Sequence, residues 1–186
     1  MKTYVSLLRG INVSAQKRIK MEELRSLYTA LGFQNIQTYI QSGNVVFQSQ
    51  NPDAAELSRK IEAGILEHFG YSVSVLILLK SDLRRILDHN PFLKGRNEDI
   101  SKLCVTFLFQ TPAPSALDEI SEVKDKHDEF QVSGQEIYLF CPQGFARTKL
   151  SNNFFERKLK VSATTRNWKT VNKLYEMTDT DHLTSS

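Results

Sequence analysis

The order in which apolar periodicities follow one another constrains this 186-residue chain most, because the same order occurs twice. Thr3 to Leu8 is a run of strand formers, and Met21, Leu24, Leu27, Tyr28 and Leu31 then recur at helical spacing up to Gly32. Ile36 to Ile40 and Val45 to Phe47 flank the turn residues Gln41, Ser42, Gly43 and Asn44, which predicts a hairpin. Asn51 and Pro52 open a helix bearing Leu57, Ile61, Ile65 and Phe69, and Val73 to Leu79 is the next strand. Ser81 caps a short helix with Leu83, Ile86 and Leu87 that ends before Pro91.

The second half starts over. Leu103 to Phe109 reads as a strand, Leu117, Ile120 and Val123 as a helix, and Phe130 to Val132 with Ile137 to Phe140 as two strands. After a loop, Pro142 to Lys149, come a helix with Phe154, Phe155 and Leu159, a short strand near Val161 to Ala163, and a last helix bearing Trp168, Val171, Leu174 and Tyr175. Each half is thus βαββαβ with a trailing helix, the split βαβ order. The expectation is an α+β protein of two ferredoxin-like lobes from an internal duplication: residues 1–91, a linker over 92–101, and residues 102–186.

Nothing in the chain calls for a metal or a cofactor. No HExxH, GxSxG, CxxC, GxxxxGK[ST] or GxGxxG string occurs, and His68, His89, His127 and His182 are scattered. Cys104 and Cys141 each sit in an apolar strand-like run, so buried, reduced thiols are expected in place of a disulfide or metal pair. No apolar run approaches the roughly 20 residues a membrane-spanning helix needs, and Met1 to Gly10 reads as a strand, not a signal peptide. The expected compartment is the cytoplasm, with no membrane partner.

Charge is segregated along the chain. Residues 1–20 hold five basic side chains and no acid, and residues 142–173 hold eight against Glu156 alone, although the net charge is only +3. Two basic surfaces on an acidic body would attract anions; the plainer alternative is a pair of solvated helix faces. Thr164, Thr165, Arg166 and Asn167 lead into the last helix, where unpaired N–H groups bind anions and Arg166 would add a planar fork. Simple capping by Asn167 or Thr165 explains the same string except for the arginine. Arg147 and Lys149 precede another helix start, where Asn153 and Glu156 have the spacing of a capping box. In a βαββαβ unit the third and fourth strands run the same way, which would place Arg147, Lys149 and Arg166 at one sheet end.

The loop from Arg9 through Asn12 and Lys17 to Lys20 is long for a strand-to-helix connection, which favours a functional role and puts Arg9, Asn12 and Lys17 among the ligand-binding candidates, within reach of the same anion surface. Gln41, Ser42 and Asn44 offer polar groups too, yet turn chemistry accounts for Gly43 and Asn44.

Three strings carry a family resemblance: Leu7 to Val13 (LLRGINV), Tyr39 to Phe47 (YIQSGNVVF) and Ala163 to Val171 (ATTRNWKTV). Weaker matches are Asn90 to Phe92 and Arg147 to Leu150, and Ser14 and Ala15 depart from the glycine-rich pattern of relatives. On these the chain resembles the bacterial family called domain of unknown function 1697. The resemblance implies a two-part α+β fold and a bacterial origin, and brings no catalytic residues. Three functions stay open: binding of a phosphate-bearing ligand, either a nucleotide or nucleic acid, an enzyme acting on a small anionic substrate, and a protein-interaction scaffold. Oligomeric state is beyond the sequence.

Overall fold

The computed structural model describes residues 1–179. By contacts it divides into two compact units, one built from residues 1–85 with residues 173–179, the other from residues 86–172. Residues 92–101 lie inside the second unit, where Pro91–Leu93 and Ile100–Lys102 form short 3-10 turns.

The first unit contains β1 (Lys2–Leu8), α1 (Met21–Ala30), β2 (Gln34–Tyr39), β3 (Asn44–Ser49), α2 (Ala54–Phe69) and β4 (Val75–Leu79), followed by α3 (Lys80–Asp88). Its sheet has the order β2-β3-β1-β4 and every pairing is antiparallel. The second unit contains β5 (Leu103–Leu108), α4 (Pro114–Ser121), β6 (Glu129–Ser133), β7 (Glu136–Phe140), α5 (Asn152–Leu159) and β8 (Ala163–Asn167), followed by α6 (Trp168–Met177). Its order, β6-β7-β5-β8, repeats the first, again all antiparallel. In both sheets the first strand lies between the third and fourth, the ferredoxin-like arrangement that the repeated periods predict.

Strand alternation sets the cores. In the first unit Tyr4, Leu8, Val45 and Phe47 meet the buried faces of α1 (Leu24, Leu27, Tyr28) and α2 (Leu57, Ile61, Ile65). Phe47 is the aromatic hub, with ring centroids 5.8 Å from Tyr4, 5.4 Å from Tyr28 and 4.6 Å from Phe33. In the second, Cys104, Leu108, Ile137, Leu139 and Cys141 meet Ile120 of α4 and Phe155 and Leu159 of α5. Both thiols are free and buried, and loss of solvation pushes Cys104 up to about 12 and Cys141 up to about 11. No helix among the described residues is long and apolar enough to cross a membrane.

Several local expectations need correction. Pro52 lies outside α2, whose cap is Asp53, accepting from the N–H of Ala55 and Glu56. At α3 it is Asp82, not Ser81, that captures a backbone donor, the N–H of Leu79. The Asn153 and Glu156 capping box does not form: Ser151 takes the N–H of Phe154, and Glu156 accepts from Ala163 across the loop. The last strand runs Ala163–Asn167, not Val161 to Ala163, because cross-strand pairing with β5 extends it directly into α6.

Candidate anion-binding site

The connection from β1 to α1 is folded against the turn between β2 and β3. Leu8 donates its N–H to Gly43 O at 2.9 Å, and a Cβ on Gly43 (φ +84°) would stand 2.7 Å from Ile11 Cδ1 and 2.8 Å from Leu8 Cβ. Only glycine allows the two segments this approach. Asn12 then braces them: its Nδ2 donates to Ile19 O (2.9 Å) and Gln41 O (2.7 Å), and its Oδ1 accepts from Ile19 N–H (2.9 Å). Lys17 closes the loop from the other side by donating Nζ to Ser72 O at 2.7 Å, while half-buried Arg9 donates its backbone N–H to Ser74 O.

This bracing holds an unusual run of left-handed backbone: Asn12 (φ +54°), Ser14 (+56°) and Lys17 (+47°) in the loop, and Ile40 (+51°) in the facing turn. A β-branched residue in that region is strained, and Ile40 is also 48% exposed. Between the segments lies a cleft of about 480 Å³ bordered by Asn12, Arg18, Lys20, Glu23 and Gln41. The side chains of Arg18 and Lys20 are exposed and make no hydrogen bond or ion pair among the described residues. Lys20 is also the residue before α1, in extended conformation, with no side chain capping that helix. The first intrahelical bond is Leu24 N–H to Lys20 O, so the N–H groups ahead of it have no helical acceptor. A guanidinium, an ammonium and a helix start thus share one rim; two acids of that first turn, Glu22 and Glu23, oppose them, and Glu23, on the cleft, could accept from a ligand hydroxyl.

Among the sequence candidates, Asn12 and Lys17 therefore serve as loop braces, their donors directed at carbonyls. Arg18 and Lys20 were visible only as part of the basic count; their exposure at the helix start is a tertiary fact.

In the second unit the loops after β7 and β8 do leave the same sheet end, since Leu103 pairs with Phe140 and Cys104 with Asn167. Alternation along β8 nevertheless separates the candidates. Thr165 sits on the side of α5, its hydroxyl 2.6 Å from Thr106 Oγ1 and 2.6 Å from Asn152 Oδ1. Asn167 caps α6 by accepting from Thr170 N–H at 2.8 Å. Thr164 and Arg166 face the other way, both buried, with Arg166 donating to Thr164 Oγ1 (2.9 Å) and Thr165 O (3.0 Å). Burial pushes the Arg166 guanidinium down to about 10. Arg147 and Lys149 stay exposed in the loop before α5; the Arg147 guanidinium makes no hydrogen bond or ion pair among the described residues, and Lys149 adds its charge to the two backbone N–H groups that hold the Asp125 carboxyl below its ordinary range. Among the described residues no group of His, Cys, Asp and Glu is placed to hold a metal ion.

No curated protein shows significant similarity to the chain. Its fold matches the solved structure of the conserved bacterial protein SP0830 from Streptococcus pneumoniae, at 26% identity and a TM-score of 0.71 over 95% of this chain and 98% of that one. A family model described as "Protein of unknown function (DUF1697)" matches residues 1–138, a stretch that contains the braced loop, its facing turn and the whole first sheet. By that match the chain belongs to the DUF1697 family.

Proposed function

We propose that the chain binds a phosphate-bearing anion, a nucleotide or the backbone of a nucleic acid, in the cleft between the Asn12–Lys20 segment and Gln41. The observation that carries this reading is the pair Arg18 and Lys20, exposed and unpaired among the described residues, on a loop that Asn12 and Lys17 hold in a strained shape. Strain of this kind persists only where surrounding contacts impose it, and it concentrates at ligand-contacting loops. The cleft accommodates a phosphate with its sugar, Arg18 matching phosphate geometry with its fork and Lys20 acting as a point charge. Arg147 and Lys149 form a second exposed basic loop of the same character in the other unit.

The test is titration with adenosine monophosphate, inorganic phosphate and a short single-stranded oligonucleotide, followed by backbone amide shifts. Shifts should centre on residues 12–23 and 41. Each charge-assisted contact contributes about 1.5–3 kcal/mol, so the double variant Arg18→Ala/Lys20→Ala should weaken binding at least tenfold with an unchanged melting temperature. A nucleic-acid ligand would show a steep salt dependence that flattens in the double variant, whereas a mononucleotide would not. Absence of shifts in this segment at millimolar concentrations of all three probes would overturn the proposal.

A further inference from the structure

We infer that the open edge of β6, together with the groove beside it, docks an extended basic segment of a partner protein. β6 is the outermost strand of the second sheet and pairs only with β7, without interruption from Glu129 to Ser133. A two-residue turn, Gly134 and Gln135, joins the strands and closes on the pair Ser133 and Glu136. Such a turn closes on a hydrogen-bonded pair, and pairs alternate along an antiparallel ladder. Phe130 and Val132 therefore occupy the non-hydrogen-bonded positions, with their N–H and C=O groups directed outward. An added strand would find its acceptors and donors on these two residues.

The same two residues supply the floor for its side chains. Phe130 and Val132 are half-buried and pack with Leu117 and Val123 under a groove of about 600 Å³. α4 is only eight residues long and ends at Ser121, so it leaves this apolar strip partly open.

The rim selects charge. From residue 117 to residue 134 there are six acids, Asp118, Glu119, Glu122, Asp125, Asp128 and Glu129, against Lys124 and Lys126. Glu129 is engaged by Arg96 at 2.9 and 3.1 Å, and the Asp125 carboxylate is taken by the N–H groups of His127 and Asp128. The Asp128 carboxylate lines the groove and makes no hydrogen bond or ion pair among the described residues. α4 also has no basic residue in its last turn to offset its negative end, so the field at the groove favours a cation despite Lys124 on its wall. A phosphate backbone would be repelled here. A second copy of this edge would oppose like charges across the new ladder, which leaves a lysine- or arginine-bearing extended segment as the matching occupant.

The probe is the blocked hexapeptide acetyl-(Lys-Val)3-amide, titrated into isotopically labelled full-length protein, with acetyl-(Glu-Val)3-amide as its counterpart. The basic peptide should shift the amides of Asp128, Phe130 and Val132, and Asp128→Lys should raise its Kd at least tenfold. Val132→Pro removes an outward N–H that the native ladder does not use, and should abolish the shifts at Phe130; should that variant fold poorly, the charge reversal still decides. Equal binding of the two peptides, wild-type affinity in Asp128→Lys, or shifts confined to other surfaces would overturn the inference. Concentration-dependent shifts of the same amides without peptide would assign the edge to a second copy and overturn it as well.

Discussion

In the first sheet the edge strand β2 breaks register between Gln34 and Gln37, with Asn35 in a left-handed conformation, and Arg25 of α1 reaches over it to hydrogen-bond Thr38. In the second sheet the equivalent strand β6 runs in unbroken register, and its overlying helix is shorter. Bulges and covering side chains are the usual means of preventing strand addition. The first sheet has both, whereas in the second no bulge interrupts β6 and the side chain that reaches it, Arg96, meets its first residue, Glu129, away from Phe130 and Val132, although strand order and pairing sense are the same. Strand order therefore fixes which strand is exposed, while helix length and local bulging fix whether the exposure can be used. The two hairpins differ likewise: Gly43 lies pressed against Leu8 and Ile11, whereas a Cβ on Gly134 would come no closer than 4.0 Å, to a Glu136 carboxylate oxygen.

The largest contrast between the two units is expected from truncation. Phe47→Ala removes the hub of three aromatic contacts in the first unit and should lower unfolding free energy by about 3–5 kcal/mol in denaturant titration. Phe130→Ala, at a half-buried ring 5.6 Å from Phe155, should cost about half as much. Equal losses would show that the groove beside β6 is closed in solution.

Glycine substitution separates the two turns. Gly43→Ala meets both the left-handed backbone cost and a steric clash, for a loss of about 2–4 kcal/mol. Gly134→Ala (φ +62°) meets only the backbone cost, about 1 kcal/mol. Near-equal melting temperatures would mean that the packing of Gly43 against Ile11 gives way easily.

A third contrast lies between two arginines. Arg166→Ala deletes a buried side chain with internal hydrogen bonds and should cost about 1–3 kcal/mol, whereas Arg18→Ala should leave stability within about 0.5 kcal/mol and change only anion affinity. This reverses what the string before α6 suggests when read alone, where Arg166 looks like the exposed fork.

The smallest effect is a difference in alkaline sensitivity. Both cysteines lie in the second unit, with folded thiol pKa values raised by burial to about 12 and about 11. A raised folded value means that the stability is fully present below the unfolded pKa, near 8.5, and is lost as pH climbs toward the folded values, at most about 1.4 kcal/mol per thiol per pH unit. In the first unit the corresponding group is Tyr28, which burial also raises, from an unfolded value near 10. Hydrogen exchange on the second sheet should thus quicken above about pH 9, before the first responds, and Cys104→Ala/Cys141→Ala should abolish that lead.

Much of the architecture was legible beforehand, because it rests on short-range regularities. The near-continuous apolar run from Leu103 to Leu108, the 3.6-residue spacing of Leu57, Ile61 and Ile65, and the turn residues around Gly43 specify element type and order locally. That order, under the rules of split βαβ units, leads to both sheets. Helix starts were less legible, since Asp53, Asp82 and Ser151 compete with equally good capping residues next to them, and backbone direction decides which oxygen meets an N–H.

The candidate sites belong mostly to the second kind of fact. Charge segregation is written in the chain, and so is the basic stretch that includes Arg18 and Lys20. Whether a basic side chain faces water or lies buried depends on strand parity, and extending β8 to Asn167 turned Arg166 away from the face that Thr165 occupies. The bracing of the β1–α1 loop depends on Asn12 meeting Gln41, 29 positions away, a contact no local pattern encodes. By itself the sequence determined the periods, the turns and the net distribution of charge, because these follow from neighbouring residues. Only the tertiary structure decided which polar groups were consumed internally and which were left facing solvent, because hydrogen bonding is settled by what folding brings within about 3 Å.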